Sequence, residues 1–154
     1  MLAGTNDLGS MQARGGRKPI DVLVDVLALH AFVHAANVTT VAVTLPQPAF
    51  EAVSGRRHAT VAYGRATINY GLHALAARSN ATVLLAEADA ELANLDASES
   101  ERVRRWERDG VHFTPAGYDE LGGVVHRTLL RAGVQPCGTG NATGTAFIRK
   151  PAQC

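Results

Sequence analysis

The sequence predicts an α/β domain built on a parallel sheet covered on both faces. Three observations carry this. Two short apolar runs have strand character, at "TTVAVTLPQP" and "ATVLLAEADAEL". A helix-period segment separates them, so the chain must cross over before it can pair them side by side. Right-handed crossovers then bring the loops after the strands to one sheet edge, where ligands bind in open parallel sheets.

The chain opens with "MLAGTNDLGS". Gly-x-Asn-Asp reads as a turn at the end of a buried strand. Residues 9–18 are rich in Gly and Arg and read as a loop. Pro19 suits a first helical position. The run "IDVLVDVLALHAFVHAAN" alternates at its start, as a strand does. It is too long for an ordinary strand, and Ile20, Leu23, Val24, Leu27 and Ala31 share one helical face. A helix ending near Asn37 is expected. Val41, Val43 and Leu45 make the first buried strand, stopped by Pro46. A loop through Ser54, Gly55, Arg56 and Arg57 follows. Ile68, Leu72, Leu75 and Ala76 then fall on one face of a helix. Val83, Leu84 and Leu85 centre the second strand.

The segment 96–108 is charged, and Glu101 and Arg105 have the spacing of a helical surface pair, worth a few tenths of a kcal/mol. Thr114 reads as an N-cap and Pro115 as the first residue of a last helix. Tyr118, Leu121, Val125 and Leu129 make its expected buried face, and Gly133 its stop. Residues 1–133 form the domain, and residues 134–154 a Gly/Thr-rich tail without a period.

Composition narrows the function. Of 154 residues 46% are apolar and 19% charged, with a net charge of +1, which gives no reason to expect a nucleic-acid or anionic-membrane partner. Aromatic residues make up 5%, too few for a base-stacking surface. No apolar run is long enough to span a bilayer, and the first ten residues are not a signal peptide. Cys137 and Cys154 bracket the tail. Paired in an oxidising compartment they would stabilise the domain by about 3 kcal/mol in the chain-entropy model; otherwise they are two free thiols. Asn37, Asn80 and Asn141 begin N-x-Thr sequons, a hint of a secreted parent. Asn37 and Asn80 also read as turn residues. Compartment and oligomeric state stay open.

The chemistry concentrates in "DGVH". A carboxylate three residues ahead of a histidine, in a loop entering a helix, can fold back onto the ring Nδ1. That orients the ring and leaves Nε2 to take a proton. Gly110 would let the backbone turn. An Asn amide in "GTND" is a donor suited to a developing oxyanion. His30 and His34, four apart on a helix, have the spacing of two zinc ligands, but no third ligand is evident and polar helix-end residues are the simpler reading. Arg14, Arg17 and Lys18 read as a solvated loop rather than a cleft rim.

In this order, and with these elements between them, the motifs resemble the SGNH/GDSL family of serine esterases and lipases. "AGTNDLG" is similar to the family's third block, and "DGVHFTPAGYDELG" to its fifth. "VAVTLPQP" and "GRATINYGLHALA" resemble the strand and helix between them. The resemblance runs from Leu2 to about Leu130. It implies a three-layer α/β/α, flavodoxin-like sheet, here lacking its first two strands. It implies Asn6 as oxyanion-hole donor, His112 as base and Asp109 as the acid that orients it, with no metal and no cofactor. Substrates in the intact family are small-molecule, carbohydrate or lipid esters. The family's nucleophile lies in a Gly-Asp-Ser block that this sequence does not contain. Ser10 is the serine nearest the "GTND" turn, but it follows the turn and no strand positions it.

The expectation is thus an ester-hydrolase domain lacking its nucleophile, inactive as written, with a sheet edge and helix faces left uncovered. The alternative is a non-catalytic binding or regulatory module.

Overall fold

The computed structural model describes residues 3–11, 16–52, 56–136 and 148–149. Its elements are α1 (Thr5–Ser10), α2 (Pro19–His34), β1 (Thr40–Val43), a 3-10 turn (Ala49–Ala52), α3 (Arg56–Arg78), β2 (Val83–Ala86), α4 (Ala88–Glu91), α5 (Glu99–Arg105) and α6 (Pro115–Arg131). A two-residue strand, β3 (Gln135–Pro136), pairs antiparallel with β4 (Ile148–Arg149) inside the tail. The fold is mixed α/β. β1 and β2 are parallel, in register from Thr40 opposite Val83 to Val43 opposite Ala86. α3 is the crossover between them, as the order of apolar runs requires.

This small sheet separates two apolar clusters. Ala42 and Val83 face Leu8 and Met11 of the α1 segment, Val22 and Val26 of α2, and Val61, Ile68 and Leu72 of α3. Val43 and Ala86 face Ala88, Leu92, Trp106, Phe113 and Val124. Side chains alternate across a strand, so helices cover both faces. Among the described residues no helix is long and apolar enough to cross a membrane.

Several local expectations need correction. The "GTND" segment is not an isolated turn. Gly4, at φ 105°, caps α1, and its carbonyl accepts from Leu8 N at 3.1 Å, so Thr5, Asn6 and Asp7 lie in a helical first turn. α2 starts at Pro19 as expected and ends at His34, but it buries Val22, Leu23, Val26 and His30. Ile20 and Val24 are about half exposed. The run is apolar almost all round, so its period does not choose a face. The neighbour does: a Cβ on Gly71 of α3 would lie 2.4 Å from the Leu23 methyls. α3 begins at Arg56, inside the expected loop, whose Ser54 and Gly55 lie outside the described residues.

The helix ends read better. Asn37 and Asn80 both have positive φ, as turn residues do. Ser98 and Glu101 form a capping box at α5, and Arg105 Nη2 lies 3.3 Å from Glu101 Oε1. Thr114 caps α6 by accepting from Gly117 N at 3.1 Å. Gly133, at φ 71°, follows its end. On α6, Leu121 and Val125 pack on the core, but the fully buried residues are Gly117 and Val124. Tyr118 is 54% exposed, against expectation. Cys137, Cys154 and Asn141 lie outside the described residues.

Candidate active site

The Asp109–His112 loop is held closed from three sides. Trp106 and Phe113 pair across its base, and Glu107 N donates to His112 O at 2.8 Å. Gly110 N donates to Glu107 O at 2.9 Å, making the turn. Ala49 N donates to Gly110 O at 2.9 Å and ties the loop to the 3-10 turn. Gly110 sits at φ 65°, and a Cβ there would lie 2.2 Å from Ala49 Cβ. Glycine is required twice over, by backbone and by space.

Inside this loop Asp109 folds back onto its own turn. Its Oδ1 accepts from Val111 N at 2.8 Å and from His112 N at 3.0 Å. Its Oδ2 lies 2.7 Å from His112 Nδ1. An ionised carboxylate only accepts, so Nδ1 carries the proton and Nε2 is left as the acceptor. The hydrogen bond from the His112 ring, then those from the two backbone N–H groups, lower the Asp109 pKa to about 2. Among the described residues Nε2 has no hydrogen-bond partner, and the His112 side chain is 64% exposed.

His112 and Asn6 are 106 residues apart and line the same cleft, of about 350 Å³. Gly4, Thr5 and Asp7 complete its polar side; Pro46 and Pro48 enter from the loop after β1. Trp106, Phe113 and Tyr118 form an aromatic wall. The "GTND" segment, the loop after β1 and the "DGVH" loop therefore meet, as the sheet-edge argument expects. Among the described residues no serine lines the cleft. Ser10 is exposed, with Oγ donating to Asp7 O at 2.7 Å. Ser79 and Ser98 serve as backbone caps.

A polar frame under the cleft has no counterpart in the sequence reading. Asn69 grips Leu45 from both sides: Leu45 N donates to Oδ1 at 2.7 Å, and Nδ2 donates to Leu45 O at 3.0 Å. Nδ2 also donates to Asp89 Oδ2 at 3.1 Å. Arg65 bridges Asp89 at 2.5 Å and Glu51 at 2.8 Å. Glu51 belongs to the 3-10 turn that holds Gly110, so α3 braces the dyad loop. The one signal in the sequence is a polar pair, Arg65 and Asn69, four apart along the helix whose apolar stripe is buried.

The other candidates are absorbed by structure. His30 Nδ1 lies 2.7 Å, and His34 Nε2 3.0 Å, from one Thr40 hydroxyl. His30 is fully buried. Among the described residues no group of three or more His, Cys, Asp or Glu could hold a metal ion. Arg17 pairs with Asp7 at 3.2 Å and Asp25 at 2.5 Å and does not line the cleft. Arg14 lies outside the described residues. His73 lies 3.3 Å from Glu87. Comparison with protein-family models, with curated proteins and with solved structures finds no match to this chain.

Proposed function

We propose that this chain carries the acid–base and oxyanion parts of a Ser-His-Asp carboxylic-ester hydrolase of the SGNH type. On this reading its two-stranded sheet is part of a three-layer, flavodoxin-like sheet. The observation that supports it most is the shared cleft: an amide donor and an oriented imidazole, distant in sequence, face one space large enough for a small ester. The nucleophilic serine comes from outside these 154 residues.

The chemistry follows from the geometry. The serine hydroxyl attacks the ester carbonyl as His112 Nε2 takes its proton. Asp109 stays ionised, holds the ring and stabilises the imidazolium. The Asn6 amide donates to the oxyanion. The C–O bond to the alcohol breaks, and the imidazolium protonates the leaving alkoxide. Water, deprotonated by His112, then attacks the acyl-serine, and the acid and the free hydroxyl are released.

Labelling with a fluorophosphonate and turnover of p-nitrophenyl acetate test this. The 154-residue chain should show neither. Joined behind a strand–turn segment bearing Gly-Asp-Ser, it should show both, and His112→Ala should then lower kcat by about 10⁴-fold. A folded joined protein that turns over the ester equally well with His112→Ala overturns the proposal. So does one that is never labelled. That no serine among the described residues lines the cleft favours a second reading, a non-catalytic binding module. Labelling of the 154-residue chain on its own would exclude it.

A further inference from the structure

The aromatic wall has no part in the proton relay. Trp106 and Phe113 stack at 4.3 Å between ring centroids, and Phe113 meets Tyr118 edge-on at 5.6 Å. The first two rings are almost fully buried, yet Tyr118 is 54% exposed. The row thus runs from the core out to the cleft, passing through Phe113, the residue after His112. An aromatic ring left open beside an acid–base pair offers an apolar face that a ligand can cover.

Charge selects the ligand. Among the described residues Asp7 is the one carboxylate that lines the cleft, and no Lys or Arg lines it. Asp109, held ionised, backs His112. Asp7 is itself paired with Arg17 at 3.2 Å, so what disfavours an anionic group is that no cation among the described residues lining the cleft can receive it. At about 30 Å³ per water-sized group, the cleft takes a ligand of roughly a dozen heavy atoms.

We infer that Tyr118 is a specificity residue that receives the uncharged, apolar part of a short ester beside His112. This deepens the ester-hydrolase reading and rests on it. The ring, not the hydroxyl, makes the contact.

Trp106 is the chain's one tryptophan, so its emission reports occupancy of the cleft. Ethyl butyrate titrated into the 154-residue chain should give a saturable change. The singly charged half-ester ethyl hydrogen succinate should bind at least 10-fold more weakly. Tyr118→Phe should keep the ethyl butyrate Kd within about twofold, and Tyr118→Ala should raise it at least fivefold. Equal affinity of the two esters overturns the inference, as does an unchanged Kd in Tyr118→Ala or the absence of a saturable signal in folded protein. Binding that depends on Tyr118, in a joined protein whose turnover ignores His112, would overturn the chemistry and leave the binding face standing.

Discussion

A single carboxylate carries most of the chemical content of the site. Asp109 accepts three hydrogen bonds within its own loop, and its oxygens cannot satisfy them once protonated. Its pKa, depressed to about 2, means that this stabilisation is complete above the unfolded carboxyl range of about 3.9 and is lost as pH falls through about 2. Asp109 is therefore ionised throughout the physiological pH range. Carbon-detected NMR should find the Asp109 carboxyl titrating near 2. His112→Ala should move that midpoint up toward the ordinary value, since the ring makes the largest contribution. An unmoved midpoint would show that the backbone donors alone hold the charge. "DGVH" is legible in sequence because all the partners lie within four residues. Tyr118 is not: whether a helical aromatic faces core or cleft depends on what stands opposite.

At the scale of elements, α6 shows how far local rules reach. Thr114, Pro115 and Gly133 mark its bounds by capping chemistry that acts over three residues. The role of its glycines is not local. A Cβ on Gly117 would lie 2.1 Å from the Arg105 carbonyl, where α5 crosses, while one on Gly122 meets nothing within 4 Å. Gly122→Ala should therefore stabilise the protein by about 0.5–1 kcal/mol through helix propensity. Gly117→Ala should destabilise it by about 1–3 kcal/mol, because a backbone carbonyl cannot give way as a side chain can. Urea-unfolding midpoints of the two variants should move in opposite directions. A shared direction would mean that α5 does not press on α6. α2 makes the complementary point: its bounds were readable, but its buried face was not, since Asp21 and Asp25 are its only charged residues and the two histidines its only other polar ones.

Over the whole molecule, the seam between α2 and β1 is pH-sensitive. His30 is sealed there against Thr40, and among the described residues its Nε2 has no partner. Burial, reinforced by the nearby His34, pushes its pKa below the ordinary imidazole value. The unfolded chain takes up this proton as pH falls through about 6.5, and the native protein resists it. Stability should therefore be full above about pH 7 and decline on acidification below that. Unfolding midpoints taken between pH 7.5 and 5.5 should fall, with a shallower slope in His30→Gln. An identical slope in that variant would assign the effect to other groups. The bracing from Arg65 through Glu51 to Gly110 acts at the same scale: it joins α3 to the dyad loop across 45 residues of chain, from position 65 to position 110.

By itself the sequence determined the α/β alternation, the parallel pairing of its two strands, the helix bounds set by Pro, Thr and Gly, and the carboxylate–imidazole loop. These rest on period, steric limits and hydrogen bonds between near neighbours, all of which are written in consecutive residues. Packing alone decided which face of α2 is buried, that Tyr118 opens onto the cleft, and that Arg65 and Asn69 brace the segments beside it. Those outcomes turn on which surface meets which, and no stretch of chain contains the surface it will meet.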